Sequence, residues 1–269
     1  MNITSLKPLF DGETPPLIPL TPQELAIRDA EQCNQRKEKM TDGVDCPICG
    51  NKQVIYYAKD GYLYTRPCEC QKRHISIRHA KASGMGALLE KTFDNFQAVE
   101  PWQIKMLEAA RMFADNTGGG FYVGGQSGCG KTHICAAISN ELIKQGYFVL
   151  YMPWVQASNR LKASKGAARD SKPYDELIKP YKECDVLYID DFFKVQQGTK
   201  PTAADITLAF DILSSRLIDD KSTIISSEFF AADIVKFDEA VGGRVMEMTR
   251  GRRLSIAKDP ERNQRLKDC

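Results

Sequence analysis

With 269 residues, 42% of them apolar and 27% charged, the chain has the make-up of a soluble globular protein. It is long enough for one domain of about 150–200 residues plus a smaller module. A formal charge of only +2 excludes a polycation, so any nucleic-acid surface must be a local patch. No apolar run approaches the ~20 residues that cross a bilayer, and residues 1–10 lack the charged-then-apolar pattern of a secretory signal. The expectation is a cytoplasmic protein with no membrane contact.

Residues 1–20 carry Pro8, Pro15, Pro16 and Pro19 and read as a loose lead-in. A helix start follows, in which Thr21 can cap, Pro22 suits the first helical position and Glu24 completes a capping box. The charged stretch to Met40 reads as an exposed helix with a thin apolar stripe of Leu25, Ala26 and Cys33. Such a helix either docks a partner or lies solvated on its neighbour.

Four of the nine cysteines crowd into one window, as Cys46-x-x-Cys49 and Cys68-x-Cys70. Between them, apolar and aromatic residues at 54–57 and 62–64 flank Asp60-Gly61, which predicts a short hairpin. Zinc takes four soft ligands in a tetrahedron, and a metal staple suits a module too small for its own core. Structural zinc is therefore expected on Cys46, Cys49, Cys68 and Cys70. His74 is an alternative ligand in place of Cys68 or Cys70, and reduced thiols or a redox pair are the competing readings. The module would present the N-terminal surface to a partner protein or to DNA. A basic helix at 71–82 ends at Ser83-Gly84, and 90–96 (EKTFDNF) reads as a linker whose aromatics tuck against the next domain.

From Pro101 the pattern alternates between apolar strands and helices. Strands are predicted at 121–124, 147–152, 186–189, 223–226 and 254–256, and helices at 102–116, 131–145, 205–218, 231–241 and 244–249. Short, nearly all-apolar strands separated by helices imply a parallel sheet covered on both faces.

The segment Gly125-Gln126-Ser127-Gly128-Cys129-Gly130-Lys131-Thr132 fits G-x-x-x-x-G-K-[ST] between a predicted strand and a predicted helix. Its glycines let backbone amides turn toward phosphates, and the helix N-terminus adds partial positive charge. The nucleotide-binding set is therefore Gly125, Gln126, Ser127, Gly128, Cys129, Gly130, Lys131, Thr132 and His133. Lys131 would hold the β- and γ-phosphates of ATP and Thr132 a Mg²⁺ ion. The run Val186-Leu187-Tyr188-Ile189-Asp190-Asp191 is an apolar strand ending in two acids. Asp190 is the expected second Mg²⁺ partner. Asp191 stands where a general base is expected, or else only ends the strand. A second acid favours water as the nucleophile, hence hydrolysis. In Thr223-Ile224-Ile225-Ser226-Ser227-Glu228, the strand end places Ser227 and Glu228 toward the γ-phosphate, unless it is an ordinary exit to a loop.

Strand, phosphate loop, Asp-Asp strand, polar-ended strand and a late Gly-Arg together resemble an AAA+ ATPase. With CPICG, CEC, KTFDNF, IDDF and IISSE, residues 40–269 are similar to bacterial and phage helicase loaders of the DnaC/DnaI type, with an IstB-like ATPase core. The resemblance implies an α/β fold: a P-loop AAA+ core with a parallel sheet of order 5-1-4-3-2, plus a small N-terminal zinc-binding module. It implies nucleotide bound between self-associating subunits, with Arg244 of Gly242-Gly243-Arg244-Val245 as the arginine that reaches a neighbour's γ-phosphate. The competing reading pairs Arg244 with Glu239 or Glu247. Where the family often carries Asn, this chain reads Ser-Ser-Glu, which leaves Glu228 doubtful as a sensor. A separate helical lid is not expected after Arg250.

Two basic runs stand out: Arg160, Lys162, Lys165 and Arg169, with no acid among them, and Arg252, Arg253, Lys258, Arg262, Arg265 and Lys267 against Asp259 and Glu261. The resemblance places single-stranded DNA contacts at the first, whereas composition alone reads it as a solvated face. Trp154 and Tyr151 could stack bases or lie in the core. The division expected is a tail and helix at 1–44, a zinc-binding module at 45–82, a linker at 83–100 and an ATPase domain at 101–269. The function implied is ATP-dependent loading of the replicative hexameric DNA helicase onto single-stranded DNA. A transposition helper ATPase, a small-molecule P-loop kinase and a binding module holding nucleotide as a structural ligand are the rivals.

Overall fold

The computed structural model describes residues 19–40, 42–165, 173–195 and 199–263. Residues 1–18 of the lead-in expected at 1–20, and Arg169, Arg265 and Lys267 of the basic runs, lie outside the described residues. The chain divides into two compact units, one of residues 1–40 with 45–68 and one of 41–44 with 69–269.

In the smaller unit, helix α1 (Pro22–Gln35) starts on the capping box read from the sequence: Thr21 Oγ1 accepts from Glu24 N, and Glu24 Oε2 accepts from Thr21 N at 2.8 Å. The helix ends at Gln35, short of the expected Met40. Its buried residues are Ala26 and Ala30, while Leu25 is exposed and Cys33 only half-buried. The stripe is thinner than expected, and α1 also meets its neighbour through a side-chain amide. The Asn34 amide brackets the Tyr56 main chain at 2.9 and 3.0 Å. Strands β1 (Val54–Lys59) and β2 (Tyr62–Pro67) pair antiparallel, Tyr57 opposite Tyr64. Both turn residues, Asp60 (φ 53°) and Gly61 (φ 80°), are left-handed, as a two-residue hairpin turn requires.

The larger unit begins with α2 (Cys70–Ala80) and an irregular turn through Gly84 (φ 93°). Helix α3 (Pro101–Asp115) then leads to alternating strands and helices: β3 (Gly120–Gly125), α4 (Lys131–Lys144), β4 (Val149–Pro153), α5 (Trp154–Ser164), α6 (Tyr174–Glu183) and β5 (Val186–Phe192). After these come α7 (Ala203–Ile218), β6 (Ser222–Ser227), α8 (Ala231–Phe237), α9 (Glu239–Met248) and β7 (Arg253–Ile256). The five strands are parallel in the order β4-β5-β6-β3-β7, which reads 5-1-4-3-2 from the β7 edge when only these strands are numbered.

Alternation along the strands feeds two cores. Phe121, Val123, Tyr188 and Ile224 pack with α3 and α4, whereas Tyr122, Leu187, Ile189 and Ile225 pack with α5 to α9. Because both faces are buried, the strands carry no polar alternation. The linker aromatics also behave as expected, with Phe93 in the first core and Phe96 packed on it.

Two expectations are corrected. Helices α5 and α6 occupy a stretch with no helix predicted, and α5 starts directly after Pro153 without an intervening loop. The helix predicted at 231–241 breaks at Asp238 (φ −156°), whose Oδ1 caps α9 by accepting from Val241 N at 2.7 Å. Gly242 permits the close crossing of α8 and α9, since a Cβ there would meet Val235 Cα at 2.5 Å. Gly242→Ala should therefore lose about 1–3 kcal/mol of stability by forcing two backbones apart. Urea unfolding monitored by circular dichroism measures this, and an unchanged midpoint would contradict the packing described.

Candidate nucleotide-binding site and cysteine cluster

Strand β3 is buried along its whole length and delivers the chain to the loop at Gly125. The loop turns through left-handed Gly128 (φ 78°) and Gly130 (φ 88°) and enters α4 at Lys131. At Gly125 (φ 127°), a Cβ would lie 2.1 Å from Ile256 O, so the β3–β7 approach admits only glycine. Lys131, nearly buried, donates from Nζ to Gly125 O and Gln126 O at 2.8 and 2.6 Å.

Thr132 Oγ1 donates to Asp190 Oδ1 at 3.2 Å, joining the start of α4 to the end of β5. Asp190 is buried, and its other donors come from the neighbouring strands: Tyr151 OH of β4 on Oδ2 at 3.0 Å, and Ser226 Oγ of β6 on Oδ1. The Thr132 hydroxyl and Asp190 carboxylate are the hard oxygen donors that Mg²⁺ favours. Burial, with the Asp190 charge nearby, pushes the Tyr151 phenol well above its ordinary pKa, so it remains a donor.

Asp191 departs from the strand at φ 54°, its amide bonded to Ser226 Oγ at 3.0 Å. Phe193 follows at φ 60°. Two non-glycine residues in this region cost about 1–3 kcal/mol each and persist only where packing over-determines them. Here Phe192 and Phe193 are fully buried and stacked at 4.0 Å, with the Trp154 and Phe237 rings against Phe193. The turn presents Lys194, whose Nζ lies 2.8 Å from Asp191 Oδ2 and 3.6 Å from Glu228 Oε1. The hydrogen bond to Asp191 raises the Lys194 pKa, so the ammonium stays charged. Glu228 is exposed, just beyond Ser227, whose hydroxyl donates to Phe192 O at 2.7 Å and accepts from Phe229 N at 3.1 Å.

A cavity of about 860 Å³ is lined by residues 127–133, Asp191, Lys194 and linker residues including Leu88, Lys91 and Phe96. That volume is within the range of small-molecule sites. His133 anchors the linker: its Nε2 lies 3.1 Å from Thr92 O and 2.9 Å from Asn95 Oδ1, and its ring meets Phe96 edge-on. Burial lowers the His133 pKa and raises that of Cys129, so both are neutral near pH 7.

Arg244 stands apart from this group. Its guanidinium covers the Phe210 ring at 3.9 Å, and it donates to Ser214 Oγ and, at 2.9 Å, to Ala240 O. Among the described residues it forms no ion pair with Glu239 or Glu247. Tyr151 and Trp154 are core residues and are not available for stacking bases.

Five described members of the basic runs are engaged within the fold, while Arg160 and Lys258 are exposed. Lys162 pairs with Asp205 at 2.5 Å and Lys165 lies over the Tyr174 ring. Arg252 and Arg253 donate to Gly118 O and Met246 O, and Arg262 pairs with Asp259 at 3.6 Å. The first run contains no acid in sequence, yet α7 supplies one in space.

Cys46, Cys49, Cys68 and Cys70 are all buried, with every sulfur within 4.8 Å of the others. The Cys46 and Cys68 sulfurs are 3.8 Å apart. A tetrahedron with Zn–S bonds of about 2.3 Å has edges of about 3.8 Å, so the donor set fits zinc. Turns support the first pair: Cys46 N donates to Asn51 Oδ1 at 2.7 Å and Gly50 N to Cys46 O at 3.0 Å. His74 is not in the set; its Nδ1 faces Asp42 at 3.2 Å.

Sequence reading missed Ser226, Tyr151 as a ligand of Asp190, and Lys194. The polar end of IISS and the lysine after IDDFF were visible, but nothing in them named a partner. No described helix is long and apolar enough to cross a membrane.

Residues 67–245 match the family of IstB-like ATP binding proteins. The phage-like element PBSX protein XkdC of Bacillus subtilis (strain 168) is 38% identical over 127 residues, 46% of this chain and 45% of XkdC. The replicative helicase loader DnaC of Escherichia coli (strain K12) is 27% identical over 165 residues, 58% of this chain and 66% of DnaC. The chain thus spans less than two-thirds of the length of either relative. A crystal structure of the DnaC helicase loader superposes with a TM-score of 0.54 at 23% identity, covering 63% of this chain and 98% of that one. At that identity the likeness is one of fold, an α/β AAA+ core. The family match includes the phosphate loop, Asp190, Asp191 and Arg244 and covers more than half of the residues, so the chain belongs to the IstB-like ATP-binding proteins.

Proposed function

We propose that the chain is an ATP-hydrolysing AAA+ protein that helps place the replicative hexameric helicase on single-stranded DNA in the cytoplasm. The observation that carries this reading is the Thr132–Asp190 hydrogen bond across the sheet, in a fold similar to that of the DnaC helicase loader. The bond puts two Mg²⁺-type oxygen donors beside a loop built for phosphates.

On this reading the backbone amides of Gly125 to Gly130 and the Lys131 ammonium bind the phosphates. Thr132 and Asp190 hold Mg²⁺, and His133 keeps the linker against the loop. Asp191 orients or deprotonates the attacking water, and Glu228 is a second polar group at the strand ends. Arg244 would act on nucleotide held by a neighbouring copy, which requires self-association, and an arginine in that role is worth about 10³-fold or more in rate. Its place on the α7–α9 surface, away from its own phosphate loop, is compatible with action in trans. Residues 1–44 and a zinc-binding module at 45–82 would dock the helicase, 83–100 would link, and 101–269 would form the ATPase domain. DNA contact rests less on the basic runs than their sequence suggests, because their described members largely bond inside the fold.

In a loading assay with purified hexameric helicase and circular single-stranded DNA, the chain should bind the helicase and raise ATP-dependent loading. Lys131→Ala should abolish the stimulation together with ATP binding, since it removes the main phosphate cation. Neither binding nor altered loading would sink the proposal, and full activity of Lys131→Ala would reduce nucleotide to a structural ligand. The cysteine cluster should hold one zinc per chain by elemental analysis, and Cys49→Ser should lower the zinc content and melt the hairpin first. Metal-free protein with an unchanged melting profile would rule out the zinc staple.

A further inference from the structure

Lys194 belongs to none of the motifs above, yet it sits on a tight turn at the end of β5. Asp191 and Phe193 adopt left-handed backbone, Lys194 N closes the turn on Asp191 O at 2.9 Å, and two buried phenylalanines anchor it. The opposing carboxylate, Glu228, follows Ser227, which is bonded to Phe192 O. A lysine that only solvated the surface would need none of these supports.

The ammonium also borders two cavities. One contains the phosphate loop from Ser127 onward, and the other, of about 890 Å³, lies along Gly125, Gln126, Glu228 and Phe229. Lys194 and Ser127 line both. Lys131 serves the loop from inside α4 and Lys91 belongs to the linker, which leaves Lys194 as the cation paired with the acids at the strand ends. The terminal phosphate of a nucleoside triphosphate offers three strongly accepting oxygens and more charge than one carboxylate. It would compete with Asp191 and Glu228 for this ammonium.

We propose that Lys194 reads the terminal phosphate in cis, exchanging its pairing with Asp191 and Glu228 for a phosphate oxygen. A triphosphate, and not a diphosphate, then frees Asp191 for water and Glu228 for other contacts. The proposal rests on the ATP-binding reading above. It makes Lys194 a substrate-contacting residue whose partners couple the nucleotide's state to both strand ends.

The test is equilibrium binding, independent of turnover. N-methylanthraniloyl ATP and ADP are titrated, with Mg²⁺, into the full chain and into Lys194→Ala, Lys194→Arg and Lys131→Ala. Lys194→Ala should weaken the ATP analogue about tenfold and the ADP analogue by less than about twofold, as expected for one partly screened charge-assisted bond. Lys194→Arg should recover part of the preference for the triphosphate. Equal weakening of both nucleotides, or no weakening of either, overturns the proposal. Melting curves confirm that each variant is folded. Lys131→Ala should lose both nucleotides; retention of both by that variant would overturn the underlying ATP-binding reading, a result separate from the Lys194 comparison.

Discussion

A carboxylate drawn away from water must be surrounded by donors, and Asp190 meets that requirement with three hydroxyls from three different elements. Thr132 comes from the start of α4, Tyr151 from β4 and Ser226 from β6. Left unpaired, a charge at that depth would cost several kcal/mol or be neutralised. The need for these partners ties the phosphate loop, β5 and both its neighbours, β4 and β6, into one register. Tyr151, kept protonated by its surroundings, can donate throughout the neutral range.

The same logic extends one residue further. Ser226 bonds both Asp190 and the amide of Asp191, so one hydroxyl spans the buried acid and the acid facing the cavity. Beyond it the chain takes a strained turn, stabilised by the Phe192–Phe193 stack and the rings of Trp154 and Phe237. Aromatic packing on the face of the sheet that carries α5 to α9 thereby positions charge at the strand ends. The linker acts from the other side, where His133 bonds to Thr92 and Asn95 and holds the cavity wall.

Charge is where sequence and structure part most clearly. A run such as Arg160–Lys162–Lys165 reads as a free cationic stripe, yet Lys162 meets Asp205 of α7 and Lys165 covers Tyr174 of α6. Asp205 lies 43 residues from Lys162 and Tyr174 sits on the next helix after Lys165, and only folding brings them within reach. Local charge density in a sequence counts cations; it cannot count the acids and carbonyls that come to them.

What the sequence determined by itself was governed by short-range chemistry. The glycine spacing around Lys131, the capping box at Thr21, the Asp60-Gly61 turn and the paired cysteines each depend on a few adjacent residues. The strands were legible because burial on both faces removes polar alternation. Helix α5 escaped notice although Trp154, Ala157, Ser158 and Leu161 keep helical spacing, because it follows β4 with no loop to announce it. The break at Asp238 is a cap, visible only once α8 and α9 cross at Gly242. Tertiary structure alone decided that Tyr151 and Ser226 serve Asp190, that His74 stands outside the cysteine set, and that Lys194 joins Asp191 to Glu228. The contacts of Tyr151 and Ser226 with Asp190 and of Lys194 with Glu228 are long-range pairings set by sheet order and backbone direction, which no local pattern of residues encodes.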